Sequence, residues 1–251
     1  MTNPSDVLEL TLTVGHALIT SGAEVTRVED TLTRIAHAYD YDAVEVYATP
    51  TGLFVSLEGR PPVTGVRRIR KRVPALDRVG AINALSRQIA SNPGHPTDHL
   101  PTVEAILAAP PTVPEWLNPP LWALGAAACT MLVGGTLPDF MPAFVANLFA
   151  QEVLKLVAWL NLPDAVGEFS AGFIAVFAGA LLHRFTGANL EAVIAGGIMM
   201  LVPGTAFTTT IRDAIAGDLG SASARAAEVA LKVAALAAGV GAALALMHRG
   251  G

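Results

Sequence analysis

AVGEFSAGFIAVFAGALL, residues 165–182, carries one charge, Glu168, in a run of small and large apolar side chains. Crossing the hydrocarbon of a bilayer takes about 20 helical residues, because the helix satisfies its backbone N–H and C=O groups internally. This stretch therefore reads as a membrane span, and its neighbours repeat the pattern. On the N-terminal side, Leu121 to Leu137 is charge-free and ends in Gly134-Gly135. Phe140 to Leu160 is long enough but holds Asn147, Gln151, Glu152 and Lys155. On the C-terminal side, Leu190 to Ile211 has Glu191 at its start and is interrupted by Pro203-Gly204. Val229 to Met247 holds only Lys232. The count predicts about five spans.

Composition agrees. Of 251 residues, 52% are hydrophobic and only 15% charged, against about 25% charged in soluble domains, and the mean hydropathy is +0.50. The charges are segregated: 10 Lys/Arg and 13 Asp/Glu lie up to Asn118, and 6 and 8 in the 133 residues beyond. The first part thus reads as an ordinary polar domain and the second as the membrane part. The single cysteine, Cys129, excludes an intrachain disulfide. A net charge of -5 does not suggest a nucleic-acid partner.

Within the polar part, Leu8, Leu12, Gly15 and Ile19 recur at helical spacing. Ser21 and Glu24 have capping-box spacing, ahead of the stripe Val25, Val28, Leu32, Ile35 and Tyr39 of a second helix. Val44, Val46 and Ala48, then Leu53, Val55 and Leu57, alternate across Pro50-Thr51-Gly52 and predict a β-hairpin. Val63 to Val73 adds a third strand, and Ala75 to Ala90 and Thr97 to Leu107 two more helices. The order ααβββαα is that of a small α+β domain over residues 1–108. Pro110, Pro111, Pro114, Pro119 and Pro120 then predict a stiff linker over 109–120, flanked by Trp116 and Trp122 as interfacial anchors. The membrane part runs over 121–251.

The start, Met1 to Glu9, is polar and acidic and lacks the basic, then apolar, pattern of a signal peptide. The expectation is a multi-pass protein of the cell (inner or plasma) membrane with its N-terminus cytosolic and, with an odd number of spans, its C-terminus outside. Lys155, Arg212 and Arg225 then face in, and Arg184 and Arg249 out.

No hydrolase elbow, P-loop, zinc spacing or dinucleotide fingerprint is present, so neither an enzyme reaction nor a cofactor is expected. His95, Asp98 and His99 share a loop, for which solvation is a simpler reading than a metal. The run Arg67 to Arg72 reads as a solvated strand face, or as a contact for anionic membrane lipid. More telling are Asn147, Gln151 and Lys155 at i, i+4 and i+8, with Glu152 beside them, since polar groups at membrane depth face a cavity or each other. Proline removes a backbone donor and glycine permits unwinding, so Pro203-Gly204 predicts a broken helix. Transporters present backbone groups to substrate in this way. The predicted substrate path is Asn147, Gln151, Pro203, Gly204, Thr205, Thr208 and Thr209, with Glu152 and Asp213 as candidates for a coupled proton.

Taken together, these stretches resemble the threonine/serine exporter family, in its N-terminal half and its short bacterial members. The resemblance rests on Ser21-Gly22-Ala23-Glu24-Val25-Thr26-Arg27-Val28-Glu29, on Val46 to Gly52 with Leu53 to Leu57, and on Arg67 to Arg72 with Asp77-Arg78-Val79. Gly134-Gly135, Leu201-Val202-Pro203-Gly204, Arg212-Asp213 and Gly217-Asp218 add to it. It implies export of a small-molecule substrate, hydroxy amino acids such as threonine and serine or dicarboxylates such as succinate. It also implies a second small membrane subunit, a homo-oligomer, or both, because complete members have about ten spans. Glu24, Arg27 and Glu29 are its signature positions; capping and an i, i+3 pair with Arg27 explain Glu24 locally, and Arg27 and Glu29 remain as candidates for contacts with the membrane half or with a partner. A membrane-anchored sensor or scaffold, whose cytosolic domain binds a ligand or protein, is the alternative.

Overall fold

The computed structural model describes residues 2–59 and 61–249, with no side-chain description for Arg249. The expectations placed on Met1, on the Arg249 side chain and on Gly251 lie outside it. The chain forms two compact units. One joins the stretch up to Thr112 with Thr208–Arg225; the other joins Val113–Phe207 with the residues from Ala226 on.

In the first unit, α1 (Pro4–Thr20) is capped by Asn3, whose side chain accepts from the Ser5 N–H at 3.1 Å. Strand β1 (Val44–Thr49), β2 (Gly52–Leu57) and β3 (Val63–Arg68) form an antiparallel sheet in the order β1-β2-β3. Val46 pairs with Val55, and Phe54 with Val66. Thr49 closes the hairpin, its Oγ1 accepting from Gly52 N at 2.9 Å. Helix α1 packs on β2 and β3 and α2 (Val25–Ala38) on β1, while α3 (Leu76–Ser91) packs on α1 and α2 and α4 (Leu100–Ala108) on α1 and α3. Alternation along β2 sends Leu53, Val55 and Leu57 inward, where they meet Leu10, Leu18, Leu32, Ile35, Ile82 and Ile89 in one core. A methyl group on Gly15 would lie 2.5 Å from Leu53 Cδ2 and 2.6 Å from Leu32 Cδ1, so α1 rests closely on both neighbours there.

Two local expectations are corrected. Ser21 does not begin α2: it is the C-cap of α1, and Glu24 holds the N-cap position of α2 without a side-chain cap bond. The capping box forms instead at Thr136 and Asp139. The proline-rich approach is also shorter than 109–120. Pro119 and Pro120 lie in the first turn of α5 (Asn118–Leu132), where proline's missing N–H costs nothing.

The helices α6 (Leu137–Trp159) and α7 (Asp164–Thr186) of the second unit, and α10 (Leu219–Arg249), which belongs to that unit from Ala226 on, are long and apolar enough to cross a membrane. A bent pair, α8 (Leu190–Leu201) and α9 (Gly204–Ile215), adds a fourth if it is one span. Among the described residues three helices, or four with the bent pair, pass this test rather than about five; α5 has 15 residues, roughly 22 Å against a hydrocarbon core of about 30 Å. Burial is inverted relative to a soluble bundle. Ala123, Ala127, Ala143, Ala150, Ala171 and Ala175 are buried, while Leu132, Phe149, Leu156, Phe177, Leu231 and Leu246 are exposed. Small residues let helix backbones approach, which is how helices associate where lipid already solvates leucine.

One such approach places Gly196 of α8 on the backbone of Thr130 in α5, with no room for a methyl group. Gly196→Leu is therefore expected to lower the denaturation midpoint of the purified protein in detergent, overpacking costing about 1–3 kcal/mol or more. Gly204→Ala, which meets open space, is expected to leave the midpoint in place.

Candidate functional site

Gly22, at φ +86°, turns the chain between α1 and α2; a side chain there would be strained and would press on Pro74. This turn presents Ala23 and Glu24 to the segment 208–225 of the same unit. Arg212 Nη1 lies 2.6 Å from Glu24 Oε1. Arg225 Nη2 donates to the Ala23 carbonyl at 3.5 Å, and its Nε lies 3.0 Å from Asp213 Oδ2. The side chains of Asp213 and Arg225 are 1% and 8% exposed. Their contact is a charge pair rather than an aligned hydrogen bond, and the Val25 N–H approaches the carboxylate without reaching hydrogen-bond geometry. Glu24 thus neither caps α2 nor pairs with Arg27; its partner is 188 residues away in the chain.

Glu29 does different work. Its Oε1 accepts from Ala48 N at 2.8 Å, tying α2 to β1. Burial pushes its carboxyl above the ordinary range; the Ala48 N–H opposes this, while the charges of Asp218 and Asp30 add to it. Arg27 lines a cavity of about 470 Å³ together with Asp30 and Arg34 of α2, Arg87 of α3, and Arg212 and Asp213 of α9.

In the second unit, Asn147 is fully buried and its Nδ2 donates to the Gly197 carbonyl of α8 at 3.2 Å. Gln151 Nε2 donates to Asn147 Oδ1 at 3.4 Å. The structure thus joins these two predicted residues to the helix that precedes Pro203. That helix ends at Leu201, and the chain bends by 52° before α9 resumes at Gly204. Glu152 is exposed and pairs with Lys155 at 3.2 Å. Thr205, Thr208 and Thr209 all lie on α9. Elsewhere, His95 Nδ1 meets Thr97 Oγ1 at 2.7 Å and His99 Nε2 meets the Pro93 carbonyl at 2.5 Å. Arg67 donates to Thr13 at 3.4 Å.

Three positions escaped the sequence reading. Arg34 and Arg87 look like solvated surface charges until α2 and α3 are placed side by side. Asp139 is buried; it accepts from Thr136 N and from Asn189 N, each at 2.6 Å, linking the starts of α6 and α8. Its signal was the spacing Thr136-Leu137-Pro138-Asp139, the same used for Ser21 and Glu24.

An α+β unit joined to helices long and apolar enough to cross a membrane defines a helical membrane protein. The chain matches, over residues 9–247, the family described as "Putative threonine/serine exporter", and it belongs to the threonine/serine exporter family. It is 25% identical over 237 residues to the "Probable threonine/serine exporter" of Mycobacterium tuberculosis, covering 93% of this chain and 45% of that one. It is 23% identical over 248 residues to the "Threonine/serine exporter" of Corynebacterium glutamicum, covering 94% and 50%. The chain spans about half the length of these curated relatives. No solved structure matches it.

Removing one partner of a buried ion pair strands the other charge, at about 3–5 kcal/mol, whereas an exposed pair contributes about 0–1 kcal/mol. Arg225→Ala is therefore expected to make the 208–225 segment protease-sensitive and to lower the melting temperature clearly. Arg212→Ala, at a side chain 61% exposed, should change both little. Equal effects of the two substitutions would refute this ranking.

Proposed function

We propose that this chain is a subunit of an exporter of small polar metabolites, hydroxy amino acids such as threonine and serine or dicarboxylates such as succinate. The observation that carries the reading is the break between α8 and α9, with the buried Asn147 bonded to α8 four residues before Leu201. Pro203 cannot donate to the Met199 carbonyl, and Gly204 leaves room around the chain. A freed carbonyl and threonine hydroxyls suit an ammonium or hydroxyl group, and the start of α9 suits a carboxylate. Thr205, Thr208 and Thr209 would line the path with Asn147 and Gln151, and Asp213 or Glu152 would carry the coupled proton. The outward direction follows the names of the relatives.

The reading includes a cytosolic N-terminal unit over residues 1–108, the 121–251 part in the inner membrane, and a separate membrane subunit or a second copy of the chain. A sensor or scaffold merely anchored by its spans has no use for a broken helix with a polar contact beside it.

Export of threonine and succinate from cells lacking the chromosomal gene, complemented with this chain alone or together with a candidate second membrane subunit, tests the proposal. Pro203→Ala with Gly204→Ala is expected to reach the membrane at normal levels and to reduce export to the uncomplemented level. Normal export by that variant would mean that the break serves packing and that the path lies elsewhere.

A further inference from the structure

The cavity in the first unit carries charge that its own side chains leave unneutralised. Arg27, Asp30 and Arg34 follow at i, i+3 and i+7, so they share one face of α2. Arg87 reaches the same cavity from α3. Among the described residues, none of these four has an ion-pair partner within 4.0 Å. The other three charged lining groups are committed, Glu24 and Arg212 to each other and Asp213 to Arg225. Three positive charges and one negative charge remain, a surplus of two (3 − 1 = 2) around one concavity.

Size and lining narrow what could neutralise that surplus. Small-molecule pockets run to roughly 300–1,000 Å³ and are mostly apolar. This one, at about 470 Å³, is lined by charge, which disfavours an apolar ligand. Guanidinium groups present planar forks that match a carboxylate through two parallel hydrogen bonds. Asp30, and the buried Asp213 in the lining, would repel a polyphosphate. A compact ligand with one anionic group at each end and net charge of about −2 matches the surplus.

We infer that this cavity is a binding site for a small dicarboxylate, held by Arg27, Arg34 and Arg87. The site lies wholly in the unit formed by the first 112 residues and 208–225, apart from the broken helix, and binding there does not require flux. It goes beyond the exporter reading and stands without it.

Calorimetric titration of the full chain in nanodiscs of zwitterionic lipid provides the test, with succinate, L-threonine and inorganic phosphate as probes. Succinate is expected to bind, more weakly at high salt. Arg34→Gln with Arg87→Gln is expected to weaken it at least tenfold at an unchanged melting temperature, both side chains being exposed. L-threonine, a zwitterion of no net charge, should bind several-fold more weakly than succinate. The inference is overturned if succinate gives no binding, if the double variant binds it as the wild type does, if L-threonine binds more tightly, or if phosphate matches succinate as at an unselective anion groove. The Pro203→Ala, Gly204→Ala variant should still bind succinate in this assay. Failure of the transport reading and failure of this site are thus separately visible.

Discussion

Taking a carboxylate and a guanidinium out of water costs several kcal/mol per ion, recovered only where each finds the other at close range. Asp213 and Arg225 meet that condition at 3.0 Å, and the arrangement of the first unit depends on it. Arg225 also reaches the Ala23 carbonyl, and Arg212, next to Asp213, reaches Glu24. These contacts fasten the 208–225 segment to the turn at Gly22–Glu24. Without them Arg212 and Asp213 would not line the cavity, and Glu24 would have no partner outside its own helix start.

The second unit obeys a different constraint. Lipid is as apolar as leucine, so large side chains gain little by turning inward, and close backbone approach decides the packing. The seams are built accordingly. Gly196 meets Thr130 and Gly172 meets Leu236, while Leu132 and Phe177 face outward. Polar side chains are kept where they have partners: Asn147 on the Gly197 carbonyl, Asp139 on the Thr136 and Asn189 N–H groups, Lys232 on Asp164 at 2.9 Å. An apolar seam at a wider spacing would not bring Asn147 to a backbone carbonyl beside the break.

What could be read from residues alone was local. The periodicity of α2, the alternation of β2 and the break at Pro203-Gly204 depend on neighbours within one turn or one strand, and each was visible. The capping box was misplaced because spacing alone cannot tell Ser21-Glu24 from Thr136-Asp139; the φ of +86° at Gly22 and the partner of Glu24 decide it. The prolines at 119 and 120 looked like linker because proline ends and begins helices with the same chemistry. The pairing of residue 24 with 212, and of 34 with 87 around a cavity, depends on which helices become neighbours, and no local pattern encodes that. The likeness of the stretches around Glu24 and Arg212 to one family pointed to both without saying that they touch.

The composition of the first unit also bears on how the chain is made. Its core side chains are complete by Val103, but its last piece is not synthesised until Arg225, after α5 to α8. At about 5–20 residues per second, the ribosome needs on the order of 6–23 s to pass from Thr112 to Arg225. For that interval the nascent unit displays the Ala23–Val25 turn and the cavity face of α2 uncovered, while the apolar helices enter the bilayer. The polar unit therefore reaches its final form only after membrane insertion is well advanced. A ribosome stalled between those points would leave a folded core whose charged docking surface is still open to chaperones and proteases.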